Sequence, residues 1–366
     1  MIDSQLLIAR NKDLIDIVLE KEAQILPHSI DLLGIVGSFQ SGDYHEKSDL
    51  DLCIVSDDSQ TKKLATCFIL NDIGYDFYIT PWNRLVQMSE YSDPFIAKLF
   101  ELTPMHIKSE EIWQKYLGLR THAENKLHNN DENKEKALSA GRDAFLLMQQ
   151  IQSVDTRGEV FRLLHRLTEK IEYSLYFFNN TYIKKGVRRI PEEIAVMSNK
   201  PEGFGDLYES LFRENSIPKL TTTLQVILDY FAKFLNISSA VLTPIKQSTT
   251  TNINPKKPIS AEQIKGTYEE IYSNWRNKML LADLTNDYYL SFKTMASCQT
   301  FYDEMASEYD VPPIELLSIY DAHNLNNNVS QFDKALAQWE THYIRLNLNI
   351  KRFESIESFR SDYLRN

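Results

Sequence analysis

The sequence predicts an α+β chain, with a small α/β unit over roughly the first 115 residues and a mostly helical region after it. Three observations lead there. Short β-rich segments bounded by turn residues recur near 30–39, 50–55 and 75–80. Beyond about Leu117 the apolar residues repeat instead at the helical period near 3.6. Gly34, Gly37, Gly42 and Gly74, out of only 11 glycines, gather in the N-terminal unit, so backbone contortion is concentrated there.

Element by element, Leu7, Ile8, Leu14, Ile15, Val18, Leu19 and Ile25 recur at helical spacing from Ser4 to Ile25. Asp3 or Ser4 can cap that helix and Pro27 closes it. IDLLGIVGSF from Ile30 reads as a strand running into a Gly-Ser turn, and LDLCIV from Leu50 to Val55 as a second strand after a polar loop. Residues 61–70 fit either a helix or a strand. YDFYIT, Tyr75 to Thr80, alternates in the manner of a strand between Asn71-Asp72-Ile73-Gly74 and Pro81. SDPFIAKLFEL then looks helical, and MHI offers a last strand. Farther on, KALSAGRDAFLLMQQIQ and EVFRLLHRLTEKIEYSLYFF carry long helical periods. Thr243 to Ser260, rich in Thr, Asn, Pro and Lys, reads as a linker. The expected organisation is a first unit at 1–117, a helical unit at 118–242, a linker at 243–260 and a second helical unit at 261–366.

Composition narrows the function. At 43% hydrophobic and 25% charged residues the chain can bury a sizeable core, and 366 residues suggest two or three domains. Lys and Arg total 40 against 51 Asp and Glu, a formal charge of -11, which repels phosphate backbones and makes long nucleic acid a poor partner. Cys53, Cys67 and Cys298 are too scattered for a disulfide framework or a zinc site, so a reducing compartment fits. With no apolar run approaching a membrane span, the expectation is a cytoplasmic protein with no membrane partner.

The chemistry sits in GIVGSFQSGDYHEKSDLDLCIV, Gly34 to Val55. Gly37 lets backbone approach a ligand, and the amides that follow can point at an anion, with phosphate the natural tenant of Gly37-Ser38. Asp49 and Asp51 stand at i and i+2, the same face of a strand. Two carboxylates that close need a cation between them, and hard divalent ions with oxygen ligands answer that need. Magnesium is therefore implied, with Asp76 on the third β segment placed to join the pair. Three carboxylates beside a phosphate-holding turn describe two-metal phosphoryl chemistry in which a nucleotide loses pyrophosphate.

Gly37, Ser38, Gly42, Ser48, Asp49, Leu50 and Asp51 together resemble the signature of the DNA polymerase beta superfamily of nucleotidyltransferases: Gly-Ser, a second Gly, then Ser-Asp-hydrophobic-Asp. Asp76 is similar to that family's third carboxylate. The resemblance covers about the first third of the chain, and it implies a polymerase-beta-like nucleotidyltransferase core, a mixed sheet flanked by helices, followed by an all-α C-terminal region. The layout is also similar to the kanamycin-type aminoglycoside nucleotidyltransferases, which implies a helical substrate-binding domain at 118–242. In those enzymes a Glu outside the metal trio can act as general base, and no residue of this sequence is matched to it.

What the resemblance implies is a magnesium-dependent enzyme using an NTP, with ATP the first candidate. Gly37, Ser38 and Lys47 would bind the nucleotide, and Asp49, Asp51 and Asp76 would be the catalytic residues and ligands of two Mg2+ ions. The acceptor would be the hydroxyl of a small molecule; a protein, an RNA end, or a binding module without turnover stay open. Other features have plainer readings. His45 and Lys47 are loop residues that could neutralise phosphate but commonly only meet solvent. Arg157, Arg162 and Arg166 read as a solvated stripe before a triphosphate clamp. The acidic run from Asp303 to Asp333 reads as a solvated face before a cleft for a polycation. Tyr173, Tyr176, Phe177, Tyr288, Tyr289 and Phe292 read as core, and Asn324 to Asn328 as a loop.

Overall fold

The computed structural model describes residues 4–42, 44–45, 48–237 and 256–365. Helix α1 (Ser4–Ile25) leads into strand β1 (Leu32–Val36) and a single helical turn, α2 (Gly37–Ser41). Strands β2 (Asp51–Val55), β3 (Thr66–Leu70), β4 (Ile73–Thr80) and β5 (Thr103–Ile107) follow, and residues 61–70 resolve into the end of a 3₁₀ turn plus strand β3. A sixth strand, β6 (Arg352–Phe353), comes from the far end of the chain. The order across the sheet is β5-β1-β2-β4-β3-β6. β1 is antiparallel to both β2 and β5, β2 runs parallel to β4 with Cys53 opposite Tyr78, and β3 and β4 form an antiparallel hairpin. That hairpin turns on Asn71 and Asp72 at φ 51 and 60, the left-handed pair that a two-residue hairpin needs. The sheet is mixed and flanked by helices, an α+β core followed by a helical region.

Both faces of the sheet are covered, and β1, β2 and β3 each bury all of their residues or all but one. Leu14, Ile15 and Val18 of α1 cover one face over Leu33, Ile54 and Phe77. Phe359 and Tyr363 of the last helix, α16 (Ile356–Arg365), belong to that same cluster, and the Phe359 ring stacks on Phe68 at 3.9 Å. On the opposite face α3 (Trp82–Ser89), α4 (Ala97–Phe100) and α5 (Glu110–Leu127) bury Leu85, Leu99 and Tyr116 against Val36, Cys53 and Val55. The helix expected over SDPFIAKLFEL shortens to the single turn α4, because Asp93 accepts the Phe95 amide at 2.8 Å and folds the preceding residues into a turn.

The helical region comprises α6 (Asn130–Ile151), α7 (Arg157–Phe178), α8 (Ile190–Ala195), α9 (Phe204–Leu211) and α10 (Ile217–Leu235). After the undescribed 238–255 come α11 (Ala261–Ile264), α12 (Thr267–Ile271), a π-helical turn at Tyr272–Arg276, α13 (Asn277–Thr285), α14 (Tyr288–Glu308) and α15 (Leu325–Arg345). One continuous apolar cluster runs from Phe161 and Leu175 to Phe292 and Trp339, so residues on both sides of 238–255 share a core. Most of the expected linker, 243–260, lies outside the described residues; its last residue, Ser260, caps α11 with a reciprocal Gln263 contact. The loop expected at Asn324–Asn328 is instead a helix start: Asn324 accepts the Asn327 amide at 3.0 Å and α15 begins at Leu325.

Candidate active site

The Gly37-Ser38 turn and Asp51 are built as one unit. Gly37 sits at φ +76, and a Cβ there would lie 1.8 Å from Asp51 Oδ2, so both the backbone angle and the space demand glycine. The Ser38 amide donates to the Asp51 carboxylate. Asp51 opens β2 where solvent still reaches it, yet protein surrounds it closely enough that desolvation holds its carboxyl above the ordinary range; Lys278, Lys98 and the Ser38 amide pull the other way.

Asp49 is not on the strand beside Asp51, as the i and i+2 spacing had suggested, because β2 begins only at Asp51. A tight turn delivers it instead. The Ser48 amide donates to the His45 carbonyl at 2.9 Å, the His45 amide donates to Ser48 Oγ at 2.8 Å, and Arg10 of α1 clamps the Ser48 carbonyl at 2.7 Å. Leu50, 1% exposed, anchors the core between the two acids. The pattern Ser-Asp-Leu-Asp is therefore a turn, an apolar anchor and two flanking carboxylates. Burial first, and then repulsion from Asp51, push the Asp49 carboxyl up to about 7.

Asp76 joins from the neighbouring strand. It pairs across the hairpin with Cys67, whose thiol donates to Asp76 Oδ1 at 3.1 Å. Desolvation raises its carboxyl, the Cys67 contact and Lys98 oppose that, and Asp51 adds to it. Glu270 of α12 is held up in turn by burial and by Asp76. Lys98 of α4 donates to the Tyr78 hydroxyl and lies 4.3 Å over that ring while acting on Asp51 and Asp76. Lys278 of α13 acts on Asp49 and Asp51. Sequence reasoning missed Arg10, Lys98, Glu270 and Lys278, which reach the acids only through tertiary packing. Lys98 alone left a trace, as the lone cation in the apolar stretch FIAKLF.

Gly37, Ser38, Asp49, Asp51 and Asp76 thus gather at one end of the central strands. Lys47 lies outside the described residues. Two of the three arginines of α7 are spent elsewhere. Arg157 donates to Asn215 and to the Tyr320 carbonyl, and Arg162 pairs with Asp303 at 2.6 Å and Glu315 at 2.8 Å. Those same contacts consume part of the acidic run, and Arg276 takes Asp333 at 3.0 Å. Tyr176, Phe177, Tyr289 and Phe292 are buried core.

As a donor set the acids fit a hard divalent ion: oxygen ligands only, mutually repelling, with carboxyls held up by desolvation and by each other. Among the described residues no group of three or more His, Cys, Asp or Glu side chains is placed to hold a metal ion. Also among the described residues, no helix is long and apolar enough to cross a membrane. The nucleotidyltransferase domain family model matches residues 13–138, a span that holds β1 to β5 and all three aspartates. No curated protein matches the chain.

Proposed function

We propose, from the premise that residues 13–138 form a polymerase-beta-like nucleotidyltransferase domain, that the chain moves a nucleoside monophosphate, AMP first among the candidates, from an NTP to a hydroxyl of a small molecule. The acceptor class we favour is an aminoglycoside-like antibiotic, on the layout shared with the kanamycin-type enzymes. Three unpaired cysteines, Cys53, Cys67 and Cys298, suit a reducing cytoplasm. The observation that carries the reading is the packing of the Gly37 turn on Asp51, with Asp49 two residues before it and Asp76 on the strand paired with β2.

Asp49, Asp51 and Asp76 are the residues that would hold two Mg2+ ions. When bound, such ions neutralise triphosphate charge and make an acceptor hydroxyl a better nucleophile. Gly37 brings backbone up to the phosphates, and the Ser38 amide exchanges its carboxylate partner for phosphate oxygen. Lys98 adds positive charge where the leaving group develops its own negative charge. The acceptor oxygen forms a bond to the α phosphorus, the bond from that phosphorus to the bridging oxygen breaks, and pyrophosphate leaves with the electron pair. The hydroxyl proton passes to Glu270, the carboxylate beside Asp76 that burial holds above its ordinary range.

The test is label transfer. Purified protein with MgCl2 and each α-labelled NTP is incubated alone and with a pool of aminoglycosides and bacterial small molecules, then read by thin-layer chromatography and gel. Label should appear on a small molecule and vanish in Asp51→Asn. Label on protein or RNA instead would replace the acceptor class. Full transfer in both Asp49→Asn and Asp51→Asn would overturn the mechanism.

A further inference from the structure

Asp49 stands outside the sheet. The ladder between β1 and β2 ends with Val36 opposite Asp51, so the place of Asp49 depends on what holds the residues on either side of it. Both holds come from the first helix. After Asp49, Leu50 lies in one apolar cluster with Leu14, Ile15 and Val18 of α1. Before it, Arg10 Nη2 donates to the Ser48 carbonyl at 2.7 Å. Asp49 is a single residue strung between two anchors on α1.

The same guanidinium reaches the strand that bears the third acid. Its carbon lies 5.6 Å from the centroid of the Tyr75 ring, within cation–π range, and Tyr75 immediately precedes Asp76 on β4. That ring has no room to retreat, being fully buried and stacked on Phe68 at 5.0 Å. Successive strand residues face opposite ways, so a group on Tyr75 lies on the face of the sheet away from the Asp76 carboxylate. Arg10 thus touches both acid-bearing segments and leaves the Asp76 side of the sheet to a bound cation.

We infer that Arg10 is a positioning residue for the metal site: it sets Asp49 in register with the strand that carries Asp76, so that their carboxylates address the same bound cations. This rests on the transferase reading above. The family model begins at residue 13, so Arg10 and this use of α1 lie outside its span.

The experiment titrates the full chain with MnCl2, read as loss of the free-ion signal by electron paramagnetic resonance, alongside melting in chelator. Arg10 is half-buried on a helix at the surface, and Arg10→Met keeps its stem while removing the donors. Mn2+ binding should weaken by about ten-fold or more, the usual effect of losing the group behind a metal ligand. Arg10→Lys, which keeps a donor for the carbonyl, should recover most of that loss. Arg10→Gln takes the place of the methionine variant should that one not fold. In an Asp49→Asn background the loss of Arg10 should change Mn2+ affinity little, because the arginine acts through Asp49. A merely structural arginine gives another pattern: Arg10→Met melts lower in chelator yet binds Mn2+ as the wild type does. That pattern, with binding lost in Asp51→Asn, overturns the inference and leaves the transferase reading standing. An equal loss with and without the Asp49 carboxylate also overturns it. Wild-type Mn2+ binding in both Asp49→Asn and Asp51→Asn, or a wild type that takes up no Mn2+, overturns the inference together with the metal site it rests on.

Discussion

Gly37 and Asp51 compete for one volume, and the left-handed backbone at Gly37 decides in favour of the carboxylate. Gly37→Ala should destabilise the fold by about 1–3 kcal/mol, seen in denaturant unfolding, because both φ +76 and the 1.8 Å approach are forbidden to alanine. Since the displaced group is Asp51, transfer should fall by about a hundred-fold. A variant with normal stability and full activity would show that the turn does not position the acid. Asp49 is the opposite case, a residue that opposes the fold it serves. Its carboxyl is raised from 3.8 to about 7 by burial and by Asp51, so native protein holds a proton that the unfolded chain has released. The stability it allows is present below about pH 4 and lost as pH rises towards 7. In chelator, Asp49→Asn should therefore melt higher than wild type by about 2–4 °C at pH 8, with the gap closing towards pH 4. A gap that widens on acidification would reverse the sign. These residues were legible in advance because Gly37, Ser38, Ser48, Leu50 and Asp51 fall within one local stretch whose spacing states its own geometry.

At the scale of elements, a few contacts tie distant segments to the sheet. Gly74 carries the docking of the π-helical turn, and Gly74→Val should lower stability by about 2 kcal/mol or more, since the Ser273 backbone and its Cβ face the new atoms. The melting curve should broaden or split as the C-terminal contact loosens. A second tie joins α7 to α14. Lys293 meets Glu172 at 3.1 Å, with side chains 3% and 2% exposed, while the Tyr208 and Tyr289 hydroxyls donate to the same carboxylate. Lys293→Met leaves that charge buried with no counter-ion and should cost about 3–5 kcal/mol by denaturant titration. A neutral result would mean that the Tyr208 and Tyr289 hydroxyls satisfy that carboxylate without the lysine. Such ties could not be read from the sequence. Glu172 and Lys293 each sit in an ordinary helical pattern, and nothing local says that they meet. The long helices were legible from their apolar period, but the caps were not: Asn324–Asn328 reads as a loop in sequence, and in the structure Asn324 caps α15.

For the molecule as a whole, the central sheet is not finished by the N-terminal segment that supplies its first five strands. β6 and α16 come from the last residues of the chain, and α16 binds α1 through Arg360 and Glu20 at 2.7 Å. The family match ends at residue 138, so neither that closure nor the lysine at 278 lies within it. Long-range closure leaves no periodic signal, because two-residue strands and single exposed lysines look like any surface. The acids proposed for the chemistry are a sequence reading; the cations packed near them could not be read from the sequence. The account stands on the claim that those acids direct attack at the α phosphorus. The most direct measurement supplies the preferred nucleotide in parallel with label on its α or its γ phosphate, with MgCl2 and the accepted substrate. The account predicts α label in the acceptor product, γ label only in released pyrophosphate, and loss of both in Asp51→Asn. Transfer of the γ label to the acceptor, or its release as free phosphate with no α-labelled product, would contradict it.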